Sequence, residues 1–244
     1  MVRVATLNLR GNANRWQERF PLVIDALYRT NADVIALQEI RIKIEQHHLI
    51  KEALNAQSEQ PYEAYLCEDW YEPHILGNAF LVRLPVIEHE RIELPEGYRT
   101  AQRIVIDNDS EQISIINTHL HHKPYRNESI RLKQMQCIFD WIARKKLKTI
   151  FMGDMNARPN TETIALVKQT MQSAYEIIHN SEPAITFPTP LRAEENLTPR
   201  AIDYIFCDLK FKVNDCQMIA DMPDAEDSTL YASDHFGLVA DISI

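Results

Sequence analysis

The apolar residues of this chain alternate between two periods, and that alternation constrains the fold more than any other feature. Residues 2 to 8 read as a buried strand, and 15 to 29 carry Trp16, Phe20, Val23, Ile24 and Leu27 at spacings of three and four. A second strand at 33 to 38 closes a βαβ unit. A similar unit recurs from 111 to 153: a strand from Ile113 to Asn117, a helix near 128 to 146 with Met135, Ile138, Phe139 and Ile142 on one face, and a strand from Thr149 to Met152. Right-handed crossovers make the two strands of each unit parallel, so both deliver their C-terminal neighbours to the same sheet edge. That edge is where α/β proteins usually place their sites.

Between the units, residues 79 to 82, 86 to 94 and 99 to 107 read as short strands, with turns at Leu84-Pro85 and Pro95-Glu96-Gly97. The last third continues in this style near 201 to 207, 210 to 219 and 235 to 243, and 188 to 200 is the most loop-like stretch. Two βαβ units mixed with antiparallel runs predict an α/β protein of two packed sheets with outer helices. With 244 residues, 45% of them hydrophobic, the chain is expected to form a single domain over 1–244.

Acidic residues outnumber Lys plus Arg by 35 to 26, a net charge of −9 that works against tight non-specific binding to a polyanion. Cys67, Cys137, Cys207 and Cys216 lack metal-like spacing and are expected to be reduced. The N-terminus enters a strand directly, without a charged-then-apolar leader, and no span of about 20 apolar residues occurs. A soluble, cytoplasmic monomer is the expectation.

Polar residues follow the strand ends in order. Asn8 ends the first strand, Gln38-Glu39 the second; His119 follows Asn117-Thr118, and Asp154 and Asn156 follow Met152. Asp203 lies inside the apolar run Ala201 to Phe206, and Asp234-His235 precedes the last strand. A buried strand carboxylate needs a partner, and His235 is the obvious candidate for Asp203. Asp154 and Asn156, two apart on extended backbone, would point the same way. Taken singly, each has a plainer reading: Glu39 as a cap, His119 as a hydrogen-bonded residue, Asp203 as the partner of a backbone turn. Glu88-His89-Glu90 reads as a solvated strand face, and His47-His48 as a surface pair on a helix.

As an ordered set these residues resemble the endonuclease/exonuclease/phosphatase superfamily. The strings that carry the resemblance are Thr6-Leu7-Asn8, Ala36-Leu37-Gln38-Glu39, Asn117-Thr118-His119-Leu120, Gly153-Asp154-Met155-Asn156, Ile202-Asp203-Tyr204-Ile205 and Ser233-Asp234-His235. Weaker echoes are Gly77-Asn78-Ala79-Phe80, Arg131 to Gln134, and Thr186-Phe187-Pro188. The resemblance implies a four-layer αββα sandwich of two mixed sheets, with a cleft at one edge. It further implies Glu39 as the principal Mg2+ ligand, with Asn8 beside it and Asp234 contributing directly or through water, and Mn2+ as a possible substitute. Asp154 would position or deprotonate the attacking water, and Asn156 would hold the nucleophile or a phosphate oxygen. His119, and His235 oriented by Asp203, would donate hydrogen bonds to phosphate oxygens.

The chemistry stands without the resemblance. A phosphoester resists attack because its anionic oxygens repel the nucleophile, so a catalyst needs a cation, a base and fixed donors around one phosphorus. The expectation is a magnesium-dependent phosphoester hydrolase whose substrate is a small molecule, a lipid headgroup or a nucleic acid. Arg10, Asn78, Lys123, Arg126 and Arg200 are candidate substrate contacts. A nuclease would need a basic track, for which Arg41, Lys43, Lys123, Arg126, Arg192 and Arg200 are scattered candidates. Arg10 stands two past Asn8, where abasic-site endonucleases carry an acidic residue, which lowers the odds for duplex-DNA repair. A catalytically silent phosphoester-binding domain is the reading from another class, disfavoured because every expected catalytic position is filled. A nucleotide-binding α/β fold lacks its glycine-rich loop: the chain has five glycines and no GxGxxG.

Overall fold

The computed structural model describes residues 1–69, 75–108, 111–122 and 128–243. In chain order its elements are β1 (Val2–Asn8), α1 (Trp16–Thr30), β2 (Val34–Arg41), α2 (Gln46–Asn55), β3 (Glu63–Glu68), β4 (Leu76–Val82), β5 (Val86–Glu93), β6 (Thr100–Asn108), β7 (Glu111–His119), α3 (Ser129–Ile142), β8 (Lys148–Asp154), α4 (Glu162–Val167), β9 (Met171–Ser173), α5 (Ala174–His179), β10 (Asp203–Asp208), β11 (Lys212–Ile219) and β12 (Gly237–Ser243). One sheet runs β11-β12-β1-β2-β4-β3 and the other β5-β6-β7-β8-β10-β9. β1 with β2, and β7 with β8, are the parallel pairs that the two βαβ units require. The remaining pairs of both sheets are antiparallel.

Strand parity explains the layers. Val2 and Val4 of β1, Val34 and Ala36 of β2, Ile113 and Ile115 of β7, Ile150 and Met152 of β8, and Ile205 and Cys207 of β10 share the core between the sheets. Their neighbours face outwards, because successive side chains of a strand point to opposite faces. Ala5, Leu7, Ile35 and Leu37 meet Val23, Ile24 and Leu27 of α1 and Ile50 and Leu54 of α2. Ile116, Phe151, Tyr204 and Phe206 meet Met135, Ile138 and Trp141 of α3 and Ile164 and Val167 of α4. The expected αββα sandwich is therefore present.

Continued to one end, the inter-sheet rows turn polar: Thr6 and Asn8 on β1, Gln38 on β2, Asn117 and His119 on β7, Asp154 on β8, Asp203 on β10. These residues would be costly in an apolar core without partners. Gln38 Nε2 donates to Thr6 Oγ1 (3.0 Å) and Asn117 Oδ1 (2.8 Å), while Asn117 Nδ2 donates to the carbonyls of Leu37 (3.0 Å) and Ala79 (3.1 Å). This buried amide layer separates the apolar core from the site and ties the sheets together.

The structure corrects several readings. β2 extends to Arg41 through a register shift between Leu37 and Ile40 in its pairing with β4. Asn156 is not on extended backbone; β8 ends at Asp154 and Asn156 has φ 47°. His47 is buried in α2, so only His48 of that pair is a surface residue. β3, β9, α4 and α5 escape the periodicity: β3 is a mostly half-buried edge strand without clean alternation, and the others have three or six residues. The loop-like stretch contains a 3-10 segment at Pro190–Glu195. The candidate substrate contacts Lys123 and Arg126 lie outside the described residues. The four cysteines are free, and no described helix is long and apolar enough to cross a membrane.

Candidate active site

Adjacent strands set three groups abreast. His119 pairs with Asp154 in the parallel β7/β8 register, and Asp203 pairs with Asp154 in the antiparallel β10/β8 register. Such partners hold their side chains within about 5 Å. Gly153 makes the first pairing possible: with φ 134°, an added Cβ would stand 2.1 Å from the carbonyl oxygen of Thr118. Any side chain there would push β8 from β7 and separate His119 from Asp154.

Asp154 is the hub. Its Oδ2 accepts from Asn8 Nδ2 at 3.0 Å and faces His119 Nε2 at 3.4 Å and His235 Nε2 at 4.0 Å. Its Oδ1 accepts from the backbone N–H of Asn156 at 2.9 Å, and Asn156 Nδ2 donates to Leu120 O at 3.0 Å. The left-handed turn at Asn156 thus clamps the ends of β7 and β8 together. Burial, and next the charge of Asp203, push the Asp154 carboxyl well above the usual carboxylate range.

The histidines differ in protonation. Burial drives His119 well below 6.5, aided by the positive charge of Arg99, so it is neutral at physiological pH. Burial also opposes charge on His235, but the carboxylates of Asp203, Asp234 and Asp154 overcome it and raise the group to about 10. His235 Nδ1 meets Asp203 Oδ2 at 2.9 Å, and the same oxygen accepts from Thr186 Oγ1 at 2.6 Å. Phe187 packs its ring 4.7 Å from the imidazole. The site thus holds one imidazolium donor and one neutral imidazole.

Glu39 reaches the site through strain rather than parity. The β2 irregularity and a φ of 54° turn it from the outward row, and it stands half-buried with Asn8 Nδ2 3.3 Å from Oε1. Asn8 turns its amide oxygen to the backbone N–H of Arg10 at 3.0 Å. Asp234 arrives from the opposite side: Ser233 Oγ donates to the carbonyl of Asn8 at 2.6 Å, and Thr189 N–H donates to the carbonyl of Asp234 at 2.9 Å. Asp234 Oδ2 also receives Arg192 Nη1 at 3.0 Å and faces Arg10 Nε at 3.5 Å.

The carboxylates of Glu39, Asp154, Asp203 and Asp234 at one edge form a set of hard oxygen donors, which fits a divalent cation such as Mg2+ or Mn2+, while Asn8 turns its Nδ2 rather than its oxygen towards Glu39 and Asp154. Glu39 suits such an ion, having no Lys, Arg or His within ion-pair distance among the described residues. Asp154, Asp203 and His235 also offer ligand atoms within 4.8 Å of one another. The hydrogen bond between His235 and Asp203, and the unpartnered buried Oδ1 of Asp203, belong to the same charged cluster.

Asn8, Glu39, His119, Asp154, Asn156, Asp203, Asp234 and His235 therefore come together, with Arg10 at the margin. Arg200 is one ring further out, its guanidinium 4.6 Å over Phe187. Asn78 is buried in β4 with Nδ2 3.4 Å from the carbonyl of Thr100, and bonds to none of these groups. Arg192, a candidate for a basic track, is instead the partner of Asp234, a role the sequence did not signal, and Arg99, held by Asp69 at 3.1 Å, carried no sequence signal. The Thr186-Phe187 string did signal, and the structure gives its reason in the contacts to Asp203 and His235.

Residues 5–235 match the model of the Endonuclease/Exonuclease/phosphatase family, and the chain belongs to that family. Its members are metal-dependent phosphoesterases, among them nucleases and phosphatases. Solved structures share the fold at low identity. A conserved protein of unknown function from Enterococcus faecalis V583 is 22% identical, with 99% of each chain covered and a TM-score of 0.79. The human Nocturnin catalytic domain, with a bound sulfate anion, is 21% identical over 99% of this chain and 93% of that one, with a TM-score of 0.78. The mannosyl-6-phosphatase Bt3783 of Bacteroides thetaiotaomicron is 19% identical over 100% of both chains, with a TM-score of 0.80. No curated protein sequence matches the chain.

Proposed function

We propose that this protein is a magnesium-dependent phosphoester hydrolase that catalyses in-line attack of water on phosphorus. The observation that carries the reading is Asp154: a buried carboxylate of raised proton affinity, held by Asn8 and the Asn156 N–H and flanked by two histidines of opposite protonation. A carboxylate so fixed is suited to orient a water and take its proton. His235, charged and pinned by Asp203, supplies a donor for a phosphate oxygen as negative charge grows in the transition state. His119, neutral, supplies a second donor without adding charge. Glu39 and Asp234, with Asn8 between them and the base, would hold Mg2+. The bound ion would neutralise phosphate charge and polarise the phosphoryl oxygens.

Two observations favour a compact phosphoester, such as a small-molecule or headgroup phosphate, over an extended nucleic acid. Arg192, a candidate for a basic track, is instead committed to Asp234 and Glu195. The net charge of −9 also opposes polyanion binding. Sugar phosphates, lipid-headgroup phosphodiesters, and single- and double-stranded nucleic acids presented with Mg2+ test the assignment. The prediction is highest kcat/KM on a small phosphoester; a nucleic acid preferred over all small substrates would replace it with the nuclease reading. Turnover of no substrate, with Mg2+ binding intact, would favour a silent phosphoester-binding domain.

A further inference from the structure

Arg19 of α1 is fully buried, yet meets no carboxylate among the described residues. All of its hydrogen bonds go to backbone carbonyls: Nε to Asn14 (2.7 Å), Nη1 to Leu9 (3.1 Å) and Ala232 (2.7 Å), Nη2 to Gly11 (3.3 Å) and Ala13 (2.6 Å). A guanidinium has five N–H donors in a rigid planar fork, so this one is saturated. Burial lowers its pKa to about 10, with Asp234 and Glu39 opposing the fall, and it stays charged at neutral pH.

The carbonyls it gathers belong to two segments more than two hundred residues apart in the chain. Leu9 to Asn14 follows Asn8, and Ala232 precedes Ser233, Asp234 and His235. The first segment is curled, with positive φ at Arg10 (61°), Gly11 (50°) and Asn14 (45°). Non-glycine residues in that region carry strain and persist only where surrounding contacts fix them. The inward-turned carbonyls supply those contacts through Arg19. The same curl brings Arg10 Nε to Asn14 Oδ1 at 3.2 Å and to Asp234 Oδ2 at 3.5 Å.

We propose that Arg19 is a positioning residue of the active site, clamping the loop after Asn8 to the segment that carries Asp234 and His235 so that both reach Asp154 in register. The catalytic consequence rests on the hydrolase reading, but the clamp does not. Backbone hydrogen exchange therefore tests it independently. In Arg19→Lys, charge is kept but three donors replace five, so at least two carbonyls lose their partner. Amides of residues 9–15 and 230–235 should exchange about tenfold faster or more, as expected from losing hydrogen bonds of this kind. Amides of β7, β8 and β10 should exchange as in wild type. In Arg19→Ala, added guanidinium should restore both exchange protection and kcat, whereas ammonium at equal ionic strength should not.

Wild-type protection of both segments in Arg19→Lys would overturn the proposal. So would uniform loss of protection across both sheets, which would make Arg19 a core residue rather than a clamp. If wild type itself turns over no phosphoester, the hydrolase reading fails while the exchange comparison still decides the clamp.

Discussion

His235 Nδ1 lies 2.9 Å from Asp203 Oδ2, an oxygen that Thr186 Oγ1 also approaches to 2.6 Å. Two donors on one oxygen fix the Asp203 side chain, and through it the ring, leaving Nε2 directed towards Asp154 at 4.0 Å. The carboxylate therefore sets both the direction and the charge of the imidazole.

Asp203→Asn separates these effects. The amide oxygen can still receive Thr186, but the largest of the three charges that overcome the burial of His235 is gone. The imidazole should titrate well below its wild-type value of about 10, as read by NMR of the ring protons. Removing His235 itself, as Ala, should reduce kcat about 10²- to 10³-fold, the usual effect of deleting one preorganised donor. Activity within about threefold of wild type would remove His235 from the mechanism.

The same group predicts how the metal-free protein responds to alkali. Its folded pKa, about 10, exceeds the ordinary value of 6.5, so the folded state binds more protons between the two. The stabilisation is complete below 6.5 and is lost as pH rises towards 10. Melting temperature in EDTA should fall across this window, and should fall less in His235→Asn. Equal slopes for the two proteins would contradict the charged histidine.

Asp154 acts in the same direction at lower pH: its carboxyl is raised from 3.8 to about 7, so in metal-free protein stability falls as pH rises through that window and the full cost of the buried charge stands above it. Asp154→Asn keeps the shape and removes the charge. It should melt higher than wild type at pH 8 in EDTA, the trade expected where function requires clustered like charges. A lower melting temperature would show that the carboxylate is a structural rather than a functional necessity.

Mg2+ or Mn2+ should stabilise the folded chain, by about 2.7 kcal/mol at 100 times the dissociation constant. Glu39→Gln should abolish most of that shift while leaving the metal-free melting temperature nearly unchanged, because the half-buried Glu39 has Asn8 as its side-chain partner among the described residues. An undiminished shift would move the metal away from Glu39.

Much of this was legible in the sequence for a physical reason. Helical spacing in 15 to 29 and the apolar runs around it predicted the βαβ unit, and parity then put Asn8, His119, Asp154 and Asp203 on inter-sheet rows. What periodicity cannot convey is where the backbone breaks it. Glu39 and Asn156 occupy positive φ, so their directions come from a bulge and a tight turn rather than from counting residues. Pairings made by single long side chains across the fold, such as Arg192 with Asp234 or Arg19 with the Ala232 carbonyl, have no local signature. Asn78 shows the converse: a familiar string can mark a buried residue that bonds to none of the catalytic groups.

The central claim, that the cluster around Asp154 is a metal-dependent phosphoester hydrolysis site, is met most directly by nitrophenol release from bis(p-nitrophenyl) phosphate. The assay compares wild type in Mg2+ or Mn2+, wild type in EDTA, and Asp154→Asn in metal. Turnover is expected in the first alone, with the variant folded and still stabilised by metal. Equal nitrophenol release by the variant, or by wild type in EDTA, would contradict it.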